Sequence, residues 1–377
     1  MTRTTRPRNT LVAFILAAFA APSMAVDFSY QGFGTVAAGR TLGAGQQALV
    51  DGANFAAYDN EWSAATESRL GVRARASLDD TWSATLQGTS YASEQGRISV
   101  QSAYVGYMLN PDWELTLGRR QNALYYYSDF LPVGYAYHWI RPPTEVYGIS
   151  PFTTYDGLGL QGKAVLGGWR WQLSLALGQS SNVRYSDDAK RYTSRVSRGA
   201  YDTVEDRAEQ RIAAQLLASD GPWTFGATIT SLDLVREPQN PTNGARTEEA
   251  PVRYYGLIAR WDGRQAFVIG EGAYVEAVEG RRANSIYAGY ISAGLKLGIW
   301  TPHFTYGAYG ERQEVSTRVA RSHSETIGLR VELGAHAALK MDYNRVHPQG
   351  SYQNAQFISA TGRRNAELFS AALDFTF

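Results

Sequence analysis

The sequence has no cysteine, only four lysines and, after residue 25, no long apolar run. Without cysteine the chain cannot be a disulfide-stabilised domain, so an extensive core or a closed hydrogen-bonded sheet must hold its fold. No stretch approaches the roughly 18 apolar residues that a membrane-spanning helix needs. A spanning β-strand needs only about ten residues, every second one facing lipid, so this absence leaves spanning strands open.

Charge and histidine content narrow the function classes further. The 36 basic and 35 acidic residues nearly balance, which gives no case for a nucleic-acid partner. The five histidines lie far apart in the sequence without metal-ligand spacing. Ser322-His323-Ser324 is the only local pairing of a nucleophile with a base, and random occurrence explains it. We therefore expect no enzyme, no cofactor and no metal site.

The N-terminus has the organisation of an export signal. Three arginines precede an apolar run at residues 11–21, and Ser23 and Ala25 are small residues at the cleavage positions. The run is too short to span a bilayer as a helix; the alternative is a short hydrophobic helix of the mature protein. We expect residues 1–25 to be a signal peptide and residues 26–377, with 33 basic and 35 acidic residues, to form one β-barrel domain.

The main pattern after residue 25 is alternation of apolar and polar residues with a period of two, which places each set on one face of a β-strand. In the last twelve residues, Phe369, Leu373 and Phe377 share one face, and Ser370 and Asp374 share the other. Sixteen segments follow this pattern. They are residues 28–38, 66–78, 81–90, 98–109, 113–120, 153–166, 168–179, 207–218, 222–234, 251–261, 264–277, 284–297, 299–311, 323–333, 335–346 and 365–377.

The connections between these segments alternate in length. Tight turns rich in Gly, Asn, Asp or Pro alternate with longer loops, of which the third covers residues 121–152. Short turns at one end, long loops at the other and an even strand number are typical of a bacterial transmembrane barrel. A soluble β-sandwich is the alternative, but it has no reason to alternate its loop lengths. The pattern predicts an all-β fold, a closed antiparallel transmembrane β-barrel of about 16 strands.

Tryptophan positions fit the same arrangement. Seven tryptophans lie next to the tight turns, where indole rings would form a girdle in the lipid headgroup zone. They are Trp82, Trp113, Trp169, Trp171, Trp223, Trp261 and Trp300. Tryptophans that were ordinary core residues would not cluster at one end of the strands.

Two segments resemble the Gram-negative general porin superfamily. Residues 103–121, AYVGYMLNPDWELTLGRRQ, are similar to that family's strand-turn-strand before the third loop, and Phe377 matches the terminal aromatic that members present to the barrel-assembly machinery. The resemblance covers the mature chain. It implies a long third loop folded into the lumen and a homotrimer among the lipid and lipopolysaccharide of the outer membrane. It also implies a passive channel for small hydrophilic solutes.

The third loop departs from the commonest family pattern. YYYSDFLPVGYAYHWIRPPTEVYG is rich in aromatic residues and contains two consecutive prolines, which leaves subfamily and solute open. The rings could stack on sugars or planar solutes, which would make a solute-specific channel for anions or oligosaccharides. The alternative, which we favour, is that they anchor the loop to the barrel wall. A plugged barrel serving structure or adhesion is a third possibility.

The lumen charges follow from the cost of placing arginine against lipid. Arg69, Arg73 and Arg75 share the face opposite Leu70 and Val72, and each would cost about 2–4 kcal/mol toward lipid near the midplane. They must therefore face the lumen. The same test places Arg120, Lys163 and Arg170 inside. In the family, acids of the third loop face a basic cluster on the wall, and the resemblance assigns that role here to Asp129 and Glu145.

A wider count predicts mild anion selectivity. Eleven basic side chains are assigned to the lumen face, namely Arg69, Arg73, Arg75, Arg120, Lys163, Arg170, Arg207, Arg211, Lys296, Arg330 and Lys340. Six acids share it, namely Glu114, Glu209, Glu311, Glu332, Asp342 and Asp374. A basic lumen concentrates anions. The alternative is a salt-bridged lining without selectivity. One strand, residues 264–277, is ambiguous because Glu271 shares a face with Phe267 and Ile269, and we expect a bulge there.

Overall fold

Period-two alternation builds long strands that pair in sequence order. The computed structural model describes residues 26–44, 46–51, 56–185, 203–239, 247–279, 282–313, 319–350, 357–359 and 365–377. The strands are β1 (Asp27–Thr41), β2 (Gln46–Asp51), β3 (Ala56–Tyr58), β4 (Arg69–Ser77), β5 (Trp82–Tyr91), β6 (Ile98–Asn110), β7 (Trp113–Gln121), β8 (Thr154–Leu166), β9 (Trp169–Tyr185), β10 (Thr203–Asp220), β11 (Trp223–Gln239), β12 (Glu248–Asp262), β13 (Ala266–Glu279), β14 (Arg282–Leu295), β15 (Trp300–Gln313), β16 (Val319–Gly334), β17 (Ala337–Gly350), β18 (Phe357–Ser359) and β19 (Ala366–Thr376).

Sixteen of these strands close into an antiparallel barrel. Each pairs with its sequence neighbour, and β1 closes the ring by pairing with β4 along one part of its length and with β19 along another. Closure leaves no open sheet edge, so every strand has hydrogen-bonding partners on both sides. The predicted all-β barrel of sixteen strands is confirmed, and each of the sixteen predicted segments overlaps one barrel strand.

The two faces of the barrel differ in chemistry. Outward side chains are apolar and exposed, such as Leu117 at 62% and Ile327 at 63%. Inward positions on the same strands are polar and buried, for example Thr116 and Thr228. In the described part of the chain, no helix is long and apolar enough to cross a membrane.

The tight turns all lie at one end of the barrel, here called the turn end, and the long connections lie at the loop end. Gly167 and Gly168 connect β8 to β9 with φ angles of 61° and 84°, a two-residue turn that glycine adopts without strain. Five of the seven predicted girdle tryptophans are the first residue of a strand that leaves such a turn. Trp223 packs on Trp261 and Phe225 there. Aromatic rings therefore concentrate at the turn end.

A bulge in β10 corrects part of the predicted lumen face. The pairing of β10 with β9 and its pairing with β11 both shift register near Gln210, which has a φ of 47°. An extra residue changes which face the following side chains take. Arg211 lies on the inner face with the buried Ala208, whereas Arg207 and Glu209 lie on the opposite face. Assigning those last two to the lumen was wrong.

The ambiguous strand β13 has no bulge. Its pairing with β12 and with β14 runs without a register shift. Phe267, Ile269 and Glu271 all point inward and are buried, because this wall is covered by a loop rather than by water. The expected bulge was therefore wrong, and the apolar inner face marks where the loop packs.

A small sheet at the loop end was not predicted. Strands β18, β2 and β3 form it, from the connections on either side of the barrel's closing strands. Ala48 and Tyr58 of this sheet pack on Val346, Ala366 and Leu368 of the barrel. The sheet therefore lies across part of the loop-end mouth.

Candidate functional site

Residues 122–153, which connect β7 to β8, enter the barrel and are here called the lumen loop. Most of the loop is irregular; Thr144–Tyr147 forms one helical turn. Its aromatic residues pack against the inner wall made by β12, β13 and β14. Trp139, only 1% exposed, lies edge-on to Tyr290 and donates from Nε1 to Thr305 Oγ1 at 2.8 Å. The rings that could have faced solutes are mostly used to attach the loop.

Glu271 is the polar centre of this attachment. Its carboxylate accepts hydrogen bonds from Tyr147 Oη at 2.6 Å, Tyr290 Oη at 2.6 Å and the Tyr126 backbone N–H at 3.0 Å. Three donors are what a buried carboxylate needs to offset lost hydration. The sequence signal for this contact is that Glu271 shares one face of its strand with the apolar residues Phe267 and Ile269.

A second attachment holds the loop to β17 and β19, farther around the barrel wall from β12 to β14. Lys340 Nζ lies 2.7 Å from Asp374 Oδ2 and donates to the carbonyl oxygens of Gly134 and Trp139, both at 2.7 Å. Lys340 and Asp374 are fully buried. Gly134 is required by the close approach, because a Cβ there would collide with the Asp374 carboxylate.

Neighbouring charges extend the second attachment. Arg330 donates to the carbonyl oxygens of Tyr135 at 2.7 Å and Tyr137 at 2.8 Å, and its Nε lies 2.6 Å from Glu332 Oε1. Asp342 Oδ2 accepts the Ile140 backbone N–H at 2.8 Å. Five charges that the sequence assigned to lumen selectivity, Lys340, Asp374, Arg330, Glu332 and Asp342, thus bind the loop backbone or one another.

Arg141 makes a third contact, with the wall near the loop end. Its guanidinium binds both carboxylate oxygens of Glu67, at 2.7 and 2.5 Å, and donates to Ser370 Oγ at 2.7 Å. Burial alone would lower the pKa of Arg141, but the Glu67 carboxylate outweighs it and raises that pKa above its ordinary value. The Arg141 guanidinium is therefore charged at any physiological pH.

Glu145 lies in the helical turn and away from the wall arginines. It is 3% exposed, accepts a hydrogen bond from Ser324 Oγ, and packs against the backbone of Gly307, where a Cβ would collide with it. Burial raises the pKa of its carboxyl, an effect that the Ser324 hydrogen bond partly opposes. Glu145 attaches the loop to β15 and β16, whereas the sequence predicted that it lines the passage.

The wall beside the lumen loop carries a row of arginines, here called the arginine track. It consists of Arg69, Arg73 and Arg75 of β4 and Arg120 of β7. Arg69 donates to Pro132 O at 2.8 Å and to Tyr137 Oη at 2.8 Å, which fixes the loop-end side of the track. Arg73 donates to Tyr104 Oη at 3.2 Å, and Arg120 lies over the same ring at 4.8 Å. Arg75 is 3.7 Å from Glu114. Positions 69 to 75 span about 20 Å of an extended strand.

One cavity lies on the loop-end side of the lumen loop and another on its turn-end side. A loop-end cavity of about 260 Å³ is bordered by Arg69, and a turn-end cavity of about 660 Å³ is bordered by Arg75. A narrow space of about 20 Å³ between Arg120 and Asp129 shares lining residues with both. This is the candidate functional site. Of the predicted residues, the structure brings Arg120 and Asp129 together here.

Lys163 and Arg170 lie farther toward the turn end. Lys163 lines the turn-end cavity, and Arg170 is exposed on the strand that pairs beside it. Both are on the lumen face but outside the narrow space.

Arg211 adds a cation behind the narrow space. It is 2% exposed and lies over the Tyr155 ring at 5.2 Å. Among the described residues, neither terminal nitrogen of its guanidinium has a hydrogen-bond partner. Tyr155 itself borders the narrow space. The β10 bulge turns Arg211 to the inner face although Arg207 and Glu209 lie on the outer face. Strict alternation would put all three side chains on one face, so it does not predict this arrangement.

The local serine and histidine sequence at residues 322–324, which random occurrence explains, lies on β16 with its side chains on two faces. Ser322 and Ser324 are buried on the inner face of β16, whereas His323 takes the other face. A nucleophile and its base must lie within hydrogen-bond reach, and alternation separates them here.

Comparison with known proteins gives a fold but no family. No protein-family model matches the sequence, and no curated protein matches it. Among solved structures, OmpT of Vibrio cholerae, an outer membrane protein described in trimer form, is similar over 94% of this chain and 100% of that chain, with a TM-score of 0.61 and 10% identity. The outer membrane channel DcaP of Acinetobacter baumannii gives 93% and 97% coverage, a TM-score of 0.59 and 12% identity.

An anion-selective porin from Comamonas acidovorans is also similar, with a TM-score of 0.58, 14% identity, and coverage of 93% of this chain and 100% of that chain. At these identities the likeness shows the fold alone. The chain shares the closed sixteen-stranded barrel with these outer-membrane proteins along nearly its whole length.

Proposed function

We propose that the chain is an outer-membrane porin of a Gram-negative bacterium, through which small hydrophilic solutes diffuse passively with mild preference for anions. The observation that carries the proposal is a narrow, water-accessible space between a basic wall and the lumen loop, inside a barrel with an apolar outer face. An apolar exterior suits lipid, and a polar lumen suits hydrated solutes.

The preference for anions rests on charges that keep no acidic partner. Among the described residues, no carboxylate lies within ion-pair distance of Arg73, Arg120, Lys163, Arg170 or Arg211. Most other predicted lumen cations are neutralised in the loop attachments or by local acids. Asp129 is the one carboxylate that borders the narrow space itself. Arg120 balances Asp129 on the lining itself, and Arg211, which lies over the Tyr155 ring behind it, makes the fixed charge around the space net positive.

The expected selectivity is modest because water and salt weaken each charge. A unit charge about 6 Å from a permeating ion in water contributes about 0.7 kcal/mol before screening. At 0.1 M salt the screening length is about 10 Å, which reduces this by roughly half. Two arginines acting together then favour chloride by a factor of about 3 to 4 and disfavour potassium by the same factor, and the charge of Asp129 opposes both effects.

The test is the reversal potential of purified channels in a potassium chloride gradient across a planar bilayer. We expect the wild type to favour chloride, and Arg73→Ala with Arg120→Ala to lose most of that preference. Arg170→Ala is the matched control, because Arg170 lies farther toward the turn end than Arg73 and Arg120, which both contact Tyr104, and it should change the ratio little. A cation-selective wild type, or a double variant that keeps full anion preference, would show that other charges govern permeation.

The solute-specific alternative has less support. It requires aromatic rings turned toward the passage. Tyr126 and Phe130 border the turn-end cavity, whereas Tyr137 and Trp139 are buried against the wall and the narrow space is bordered by Tyr155 alone among the described aromatic residues. A saturable current blocked by one solute would favour it. The signal peptide at residues 1–25 lies outside the described residues. With it, the homotrimer, the contacts with lipid and lipopolysaccharide, and recognition by the barrel-assembly machinery belong to the same proposal.

A further inference from the structure

Two histidines that lie far apart in the sequence are neighbours on the outer face of the barrel. His323 of β16 is directly paired with His347 of β17 across the sheet. Directly paired residues have Cβ atoms about 4.5–5.5 Å apart on the same face. Glu325, two residues after His323, shares that face, because alternate residues on a strand point the same way. Ser324 between them points inward to Glu145, so the three side chains point outward.

Their side-chain atoms already converge. The imidazole rings stack with centroids 4.5 Å apart, and His347 Nε2 lies 3.7 Å from Glu325 Oε2. One ligand atom from each residue falls within 4.8 Å of the others. Ligand atoms around a tetrahedral zinc are about 3.4 Å apart, so the gap to close is about 1.4 Å. Rotation of partly exposed side chains covers that distance without moving the backbone.

Two observations separate this cluster from an ordinary surface ion pair. His347 Nε2 is buried, and it has no hydrogen-bond partner among the described residues. Arg345, which is paired with Glu325 across the sheet, places its Nε 3.6 Å from Glu367 Oε1. The nearest basic side chain is therefore engaged elsewhere, and the Glu325 carboxylate lies beside the histidines.

We propose that His323, Glu325 and His347 bind a divalent transition-metal ion of the zinc class. Two imidazole nitrogens and one carboxylate oxygen are a donor set that zinc prefers, and the fourth position is left for water. The cluster lies near the loop end of β16 and β17, two to four residues beyond the exposed Ile327 of the apolar band. A bound ion would link two adjacent strands outside the pore, so this inference does not depend on permeation through the lumen.

The test is calorimetric titration of zinc chloride into the folded full-length barrel, purified from outer membranes without a polyhistidine tag and stripped with a chelator. We expect one zinc ion per chain. His323→Ala, His347→Ala and Glu325→Gln should each weaken binding by about tenfold or more. Retention of the heat-modifiable folded band on gels shows that each variant is folded.

His336→Ala is the matched control, since this exposed histidine lies at the opposite, turn end of the same strand pair. It should bind zinc like the wild type. A wild type that shows no saturable binding up to about 1 mM zinc overturns the proposal. So does binding that the three cluster variants leave unchanged. Absorption bands of cobalt substituted for zinc provide a second readout, and their loss in His347→Ala is expected.

Discussion

Replacing Lys340 by methionine tests whether buried charge holds the lumen loop in place. Methionine keeps the length and much of the volume of the side chain, but it removes the cation 2.7 Å from Asp374. Breaking a buried pair by removing one partner costs about 3–5 kcal/mol, because the other charge is left buried alone. The Gly134 and Trp139 carbonyls also lose their donor. We expect Lys340→Met to lower the free energy of unfolding by about 3–5 kcal/mol.

A second substitution separates the charge effect from lost packing. Asp374→Asn in the Lys340→Met background removes the stranded charge, and the asparagine side-chain oxygen can still accept from Thr35 Oγ1, now at 2.5 Å from Asp374 Oδ1. Replacing both members of a buried pair is far less costly than removing one. The double variant should therefore recover more than half of the loss, a coupling that a double-mutant cycle measures directly.

The assay is urea unfolding in detergent micelles, followed by tryptophan fluorescence and by the heat-modifiable folded band. Single-channel recordings on the same samples report loop attachment, because a released loop should produce flickering current. A single variant within about 1 kcal/mol of the wild type would refute the assigned role of Lys340. A double variant no more stable than the single one would show that stranded charge is not the cause.

Three further changes test other contacts. Burial raises the pKa of Glu145, so at a pH above the ordinary carboxyl value of about 4.5 the ionised side chain destabilises the folded state. Glu145→Gln removes that charge and should unfold at higher urea than the wild type at pH 8. The difference should be gone by pH 4, where the carboxyl is protonated in both states. Equal midpoints at pH 8 would contradict this. Gly134→Val should displace the loop and raise conductance, because its side chain would collide with Asp374; unchanged conductance would count against the close approach. Deletion of Phe377, whose backbone bonds to Gly32 at 2.9 and 2.8 Å, should reduce the folded form in outer membranes, and unchanged amounts at low expression would argue otherwise.

The strands could be predicted from the sequence because the information that defines them is local. Each strand needs only its own alternation, and lipid on one side makes that alternation strict. The cost of arginine in lipid likewise oriented β4 without knowledge of any partner. These arguments placed Arg69, Arg73 and Arg75 on one face before any contact was known.

The remaining features depend on contacts between distant parts of the chain. The β10 bulge inserts a single residue near Gln210, which leaves the composition of the strand unchanged while reversing the face of Arg207. The role of Glu145 depends on Ser324, 179 residues away. His323 and His347 are adjacent only because β16 and β17 pair in one particular register. The apolar face around Glu271 is a sequence signal for loop packing, because a lumen wall that faces water would be polar at those positions.

The attachment of the lumen loop to the last strands sets the order in which the protein can mature. Gly134 meets Lys340 across 206 residues, and Ile140 meets Asp342 across 202. Those partners belong to β17, which follows the loop by about 200 residues in the sequence. The loop therefore cannot make its contacts with Lys340 and Asp342 until β17 has joined the barrel, and the passage reaches its final width only after that step. A barrel without β17 and β19 would keep the loop contacts of Glu271 and Glu145 but lose those of Gly134 and Ile140, so its passage would be only partly restricted.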